Sequence, residues 1–356
     1  MGLDSQHSLA SLRAEIDSGK SLALSQIQRA AEALISDQVS DEDKECFLIA
    51  LAEKGESPQD IASFAKAFLP KAVDPGMLHS YHQKALFDCC GTGGGGLNLI
   101  NVSTALMFIL AAAEVPVVKH GNRGLTKKSG SADVLTALGV KNDCQPDQAR
   151  AMLDEVGCTF YLAPLYHPSF KVVAPVRQKL GKEGKRTLFN YLGPLLNPTQ
   201  PAAQMVGLFK EEQLGFYAKC LQELGRKRYL VIYGESADRR PLGEASCLGR
   251  TRLLGQLDDE EIDLTIAALG EGDLDDLLIT GAEDSAKRLC DLFYGRSHDE
   301  LLLEILSLNA GIALWVQGAS QTYEAGMDRA KELILSGKVG EKLKQVIQFS
   351  DQLDSA

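Results

Sequence analysis

Four consecutive glycines, Gly93 to Gly96, follow Gly91 and Thr92 where an apolar run closes on Phe87-Asp88. No other stretch restricts the fold of this chain as tightly. Glycines this dense let backbone amides turn inward with no Cβ in the way, which suits a phosphate. Asn101, Ser103 and Thr104 come next and open an apolar, alanine-rich helix predicted from about Ala105 to Ala113. Free N–H groups at a helix start, with hydroxyl donors beside them, form a natural anion site. A short apolar strand, Val115 to Val118, then delivers Lys119-His120-Gly121-Asn122-Arg123, and a second small-residue loop, Ser129-Gly130-Ser131-Ala132-Asp133, opens another helix. Two phosphate-type loops flanking one basic loop predict a site for a polyphosphate with a second ligand.

Rival readings of the glycines carry less. Gly91, Gly93 and Gly96 satisfy the dinucleotide pattern G-x-G-x-x-G, but Lys119 and His120 stand where its acidic residue belongs, which favours phosphate over a ribose diol. The P-loop pattern fails because Leu97-Asn98 replaces its Lys-Ser/Thr. A bare turn does not need this many glycines.

Composition narrows the class further. A chain of 356 residues allows one large domain or two of ordinary size, and 45% hydrophobic with 24% charged residues gives a globular protein ample core. The formal net charge of −11 argues against a general nucleic-acid binder while leaving room for a local basic pocket. The eight cysteines include no C-x-x-C pair and none at zinc spacing with histidine, so free thiols in a reducing cytosol are expected. The opening MGLDSQHSLA has no signal-peptide pattern, and no apolar segment reads as long enough to span a membrane, so no membrane role and a cytoplasmic location are expected.

Taken in order, the chain starts all-helical. Leu9 to Ile16 is a first segment, and Ile27, Ala30, Ala31, Leu34 and Ile35 recur at helical spacing in a second. Ser40 with Asp41-Glu42-Asp43 caps a third helix that Gly55 ends, and Ser57 with Pro58 caps a fourth. From Lys84 the pattern turns α/β, with strands predicted at Ala85–Cys89, Pro116–Val118, Thr159–Leu162 and Tyr229–Ile232. Residues 260–276 are acidic and read as an exposed connection, and the chain from His298 to Val346 reads as helical. The expected fold class is α/β: a small all-helical N-terminal domain over residues 1–83, hinged at about 70–84 to a large α/β domain over 84–356 with a mostly parallel central sheet. A proline-broken helical segment at 167–197, rich in His, Arg and Asn, is expected to pack back on the helical domain.

Several motifs in one order identify a relative. They are GTGG at 91–94, NVST at 101–104, KHGNR at 119–123, SGSAD at 129–133, HPSFKVVAPVR at 167–177, RTLFNYLGPLLNP at 186–198, and the later LNAGIAL and SGK. In these the chain resembles the anthranilate phosphoribosyltransferases, from about residue 20 to 346. The resemblance implies phosphoribose transfer from phosphoribosyl pyrophosphate (PRPP) to the amine of anthranilate, with magnesium, in tryptophan synthesis. It also implies a homodimer packed through the helical domain; no nucleic-acid partner is expected, given the acidic charge. Gly91, Thr92, Gly94, Asn101, Ser103, Thr104, Lys119 and Ser131 would hold PRPP. Asn122, His120, His167, Arg177 and Pro194 would line the anthranilate side, where Arg177 offers the planar fork a carboxylate wants. Lys119, Asn122 and Arg177 are the expected catalytic residues.

The chain departs from the family pattern in places. Gly95 stands where the family carries an aspartate, Leu99 where it has a phosphate-binding threonine, Gly243 at the aspartate of an Asp-Glu pair, and Thr126-Lys127 at a small serine pair. Glu244 and Ser103 are then the expected metal ligands, and magnesium is expected to arrive on PRPP. A relative using another aromatic acceptor, a non-catalytic nucleic-acid- or ligand-binding relative, and a nucleoside phosphorylase are the alternatives. The KHGNR and PVR segments and the acidic charge favour the transferase over the non-catalytic reading.

Overall fold

Serine side chains set where the first helices begin. The structure, a computed structural model, describes residues 8–76, 86–93, 96–124 and 129–355. Ser8 caps α1 (Leu9–Asp17), and α2 (Leu24–Leu34) follows it. Ser40 caps α3 (Asp41–Lys54) by accepting from the Asp43 amide, with three acids over the positive end of the helix. Ser57 and Asp60 cap α4 (Pro58–Phe68) reciprocally: Ser57 Oγ accepts the Asp60 N–H and Asp60 Oδ2 accepts the Ser57 N–H. Phe47 and Phe64 meet edge to face at 6.5 Å in the core of these helices.

The next stretch alternates strand and helix. In order come β1 (Phe87–Gly91), α5 (Val102–Ala112), β2 (Val117–Gly121), α6 (Ser131–Ala137), α7 (Pro146–Val156) and β3 (Cys158–Leu162). Three helical pieces interrupt the alternation: α8 (Ala163–Tyr166), α9 (Ala174–Lys182) and α10 (Phe189–Leu192). Then follow β4 (Ala203–Gly207), α11 (Leu214–Glu223), β5 (Arg228–Gly234), β6 (Thr251–Leu257) and β7 (Glu260–Ile266). Four helices close the described chain: α12 (Ala282–Phe293), α13 (Glu300–Gln317), α14 (Tyr323–Leu335) and α15 (Lys338–Ser355).

Among the described residues seven strands form one sheet in the order β3-β2-β1-β4-β5-β6-β7. Pairing is parallel from β3 through β5 and antiparallel for β6 and β7. Strands β3 and β4 are buried at every position, as parallel strands covered on both faces must be. The expectation of an exposed connection at 260–276 is corrected at its start. Residues 260–266 are the edge strand β7, with Ile262 and Ile266 buried and Glu260, Glu261 and Asp263 exposed. Outward acids on the last strand deter pairing with another chain.

The membrane expectation needs a correction too. Helix α13 has the length and composition to cross a membrane, with 18 residues and mean hydropathy 1.3, but 72% of it is buried inside the molecule. It is a core helix. Its apolar character comes from being surrounded by protein.

The chain divides into two compact units, one of residues 1–73, 164–198 and 219–225, the other of residues 74–163, 199–218 and 226–356. In the first unit Phe68 of α4 carries the 164–198 segment: Phe170 meets it edge to face at 5.0 Å and Phe189 lies at 5.9 Å. The Val73 amide donates to the Tyr166 carbonyl at 2.8 Å.

Candidate active site

In the second unit the site residues collect at the C-terminal ends of β1 and β2 and the start of α5. Lys119 is 1% exposed, so it is not a solvated strand-end lysine. Its Nζ donates to the Cys89 carbonyl at 2.7 Å and to Ser103 Oγ at 3.1 Å. Among the described residues it makes no ion pair. Because Ser103 Oγ accepts from Lys119, its own proton points elsewhere. The Ser103 amide, in the first turn of α5, also has no acceptor among the described residues. Half-buried Ser103 therefore presents two donors, backed by a buried ammonium and the positive end of an eleven-residue helix. Lys119 lies behind Ser103 and is not itself at the surface. Burial pushes the Cys89 thiol up to about 12, partly offset by Lys119, so this cysteine stays protonated.

Neighbouring loops are tied into the same corner. Ser129 Oγ donates to Asn101 Oδ1 at 3.1 Å. Asn122 is exposed, and its Oδ1 accepts the Arg123 amide at 2.8 Å. His120 is 5% exposed, and its amide donates to Asp88 Oδ1 at 3.2 Å. Gln204 bridges Asp88 to Arg226, whose guanidinium is pushed down to about 10 by burial. Gly91 is exposed, and the Thr92 amide is spent on the Gly207 carbonyl at 3.1 Å. Thr104 is wholly buried, its hydroxyl without a partner among the described residues, so it offers no surface donor. Gly94, Gly95, Thr126 and Lys127 lie outside the described residues.

The first unit holds the other candidates. The Arg177 guanidinium lies over the Phe189 ring at 4.7 Å, and burial lowers its pKa from the ordinary value. Among the described residues no carboxylate pairs with it, whereas Lys179 on the same helix takes Glu45 at 2.7 Å. A half-buried, unpaired guanidinium on an aromatic face is an anion site in waiting. His167, 4% exposed, stacks on Phe170 at 5.3 Å with Nε2 2.8 Å from the Leu196 carbonyl. Burial lowers its pKa, so it is a neutral ring anchoring the turn that contains buried Pro194.

Comparison with known proteins fits this picture. Residues 83–339 match the glycosyl transferase family a/b domain, and residues 11–72 match the helical bundle domain of the same family. The chain is 38% identical over 348 residues to the anthranilate phosphoribosyltransferase of Methanosarcina acetivorans, covering 95% of this chain and 89% of that one. It is 35% identical to the Synechococcus enzyme of the same name, covering 93% of this chain and 94% of that one. The chain belongs to the anthranilate phosphoribosyltransferase family. The crystal structure of the family member from Thermus thermophilus superposes with a TM-score of 0.83 at 32% identity, covering 95% of this chain and 99% of that one. The Saccharomyces cerevisiae enzyme in complex with PRPP and Mg shares the fold, with a TM-score of 0.82 at 22% identity and coverage of 98% and 99%.

For an anthranilate phosphoribosyltransferase, the protein's own oxygens fit a metal poorly here. Among the described residues no three His, Cys, Asp or Glu side chains cluster to hold one. Ser103 Oγ, an expected ligand, already faces the Lys119 ammonium at 3.1 Å, and a divalent cation on that oxygen would meet it head-on. Gly243 has φ +74°, and a Cβ there would stand 2.4 Å from the Phe209 ring. The Gly243 carbonyl sits so close to Gly207 that a Cβ on Gly207 would lie 1.8 Å from it. Half-buried Glu244 is the carboxylate left on this segment. Asn309 of α13, which the sequence marks only as part of the LNAGIAL motif and with no role, fixes the segment: its Oδ1 accepts the Ala245 amide and its Nδ2 donates to the Ala245 carbonyl, each at 2.9 Å. Its signal was an asparagine inside an apolar helix, a residue that needs a partner when buried.

Proposed function

We propose that this chain transfers phosphoribose from PRPP to the amine of anthranilate and releases pyrophosphate, as a step of tryptophan biosynthesis. The observation that carries the reading is Ser103, two free donors at a helix start backed by buried Lys119, in a chain matching family members along nearly its whole length. The anthranilate nitrogen attacks the anomeric carbon, the bond from that carbon to pyrophosphate breaks with its electron pair leaving on pyrophosphate, and the nitrogen loses a proton. Negative charge grows on the leaving group, so the two donors at Ser103 lower the barrier and Lys119 strengthens them electrostatically, with Asn101 and Ser131 assigned to the same PRPP site. The exposed Gly91 edge belongs to the same PRPP site. Arg177 takes the anthranilate carboxylate, and His167 and Pro194 shape the aryl side.

Magnesium is part of the substrate, riding on the phosphate and ribose oxygens of PRPP, with Glu244 as the protein carboxylate on hand. The protein works as a homodimer through its helical unit, in the cytoplasm. A panel of aromatic acids with PRPP, read by pyrophosphate release, tests the acceptor. Anthranilate should be the preferred substrate, and a strong preference for an acid lacking the ortho amine would overturn the reading.

A further inference from the structure

The basic segment and the small-residue loop that follows it are joined by a side chain that has no place in the chemistry above. Asp133, in the first turn of α6, accepts the Gly124 amide and the Gly130 amide on one oxygen, Oδ2, each at 2.8 Å. Its other oxygen lies 3.8 Å from Arg123 Nη1. Gly124 is the last described residue of the β2 exit loop, and Gly130 precedes Ser131. The two backbones touch here: a Cβ on Gly130 would stand 2.3 Å from the Gly124 nitrogen and 2.7 Å from the Asn122 carbonyl oxygen. The Ala132 amide donates to that same Asn122 carbonyl at 3.3 Å, and Ser129 reaches Asn101.

We infer that Asp133 is a positioning residue for phosphoribosyl transfer, clamping the 119–124 segment to the 129–131 segment so that both address one PRPP. This rests on the reading of those segments as PRPP-binding. A carboxylate is suited to the task because one charged oxygen can accept two converging amides, each bond stronger than its neutral counterpart. Without it, two amides packed against each other lose their shared acceptor and the segments separate. The loss falls on substrate alignment more than on the sheet, since Asp133 itself is 29% exposed at its side chain.

The test is PRPP affinity by calorimetry, with the Michaelis constant for each substrate, on Asp133→Ala and Asp133→Asn beside Ser103→Ala. Asp133→Ala should weaken PRPP about tenfold, with the anthranilate constant little changed. Asp133→Asn keeps an acceptor oxygen and should recover most of the affinity, which a purely charge-based role would not give. Should the alanine variant not fold, Asp133→Glu keeps the charge but displaces the shared oxygen, and it should still weaken PRPP severalfold. Wild-type affinity in Asp133→Ala or Asp133→Glu, with Ser103→Ala impaired, overturns the clamp alone. Wild-type affinity in all of them overturns the PRPP site with it.

Discussion

At the scale of single residues, the account turns on two cations that differ in how they meet a ligand. Lys119 is sealed behind Ser103, so under the proposed function its charge would reach a phosphate through a hydroxyl. Ser103→Ala removes that relay and should weaken PRPP about tenfold in calorimetry. Lys119→Met keeps the volume but removes the charge, and should weaken it more, by about a hundredfold. Arg177 stands ready on the Phe189 face with no carboxylate of its own among the described residues. Arg177→Ala should cut kcat/KM for anthranilate by about 10- to 100-fold while leaving PRPP affinity near wild type. Arg177→Lys should not restore it, because an ammonium can neither stack flat on the ring nor offer two parallel donors. Equal loss of PRPP affinity in the Arg177 variants would place the residue elsewhere in the mechanism.

At the scale of elements, turns in each unit are set by neutral contacts as much as by charge. His167 holds the 193–196 turn as a neutral ring, its pKa below the ordinary 6.5. The unfolded chain then binds more protons than the folded one as pH falls through that ordinary value, so stability contributed by this burial is present above it and lost below. Urea melts between about pH 7 and pH 5 should show a smaller pH dependence in His167→Gln than in wild type; identical slopes would remove His167 from the account. The Gly207–Gly243 contact makes the opposite kind of demand, for no side chain at all. Gly243→Asp would put a side chain at left-handed φ into Phe209, and should cost roughly 2–3 kcal/mol in a denaturant melt before it could help any metal. The serine-capped helices were legible because a cap and an apolar period are local signals. Strand β4 was not, since Ala-Gln-Met-Val-Gly, buried on both faces, shows no alternation. Asp133 and Asn309 stood in recognised motifs but without a role, because their partners are backbone groups that only the fold brings near.

At the scale of the whole molecule, motif order was enough to read the family and the helical-plus-α/β composition, because the motifs mark ligand-facing loops whose residue types are restricted by chemistry. Burial was the hidden quantity. Lys119 could be read as a cation and α13 as an apolar helix, but whether each faces water, lipid or protein depends on neighbours far along the chain. Metal behaviour follows from the same whole-molecule view. Calorimetric titration of the PRPP-free protein with magnesium should show no tight stoichiometric binding, and a tight site would contradict the substrate-borne metal. The central claim is that a bond forms between the anthranilate nitrogen and the anomeric carbon of phosphoribose. Mass spectrometry of a reaction holding purified protein, PRPP, magnesium and anthranilate tests it most directly. The account predicts an N-phosphoribosyl adduct of anthranilate in equal amount to the pyrophosphate released; pyrophosphate without that adduct, or neither product, would contradict it.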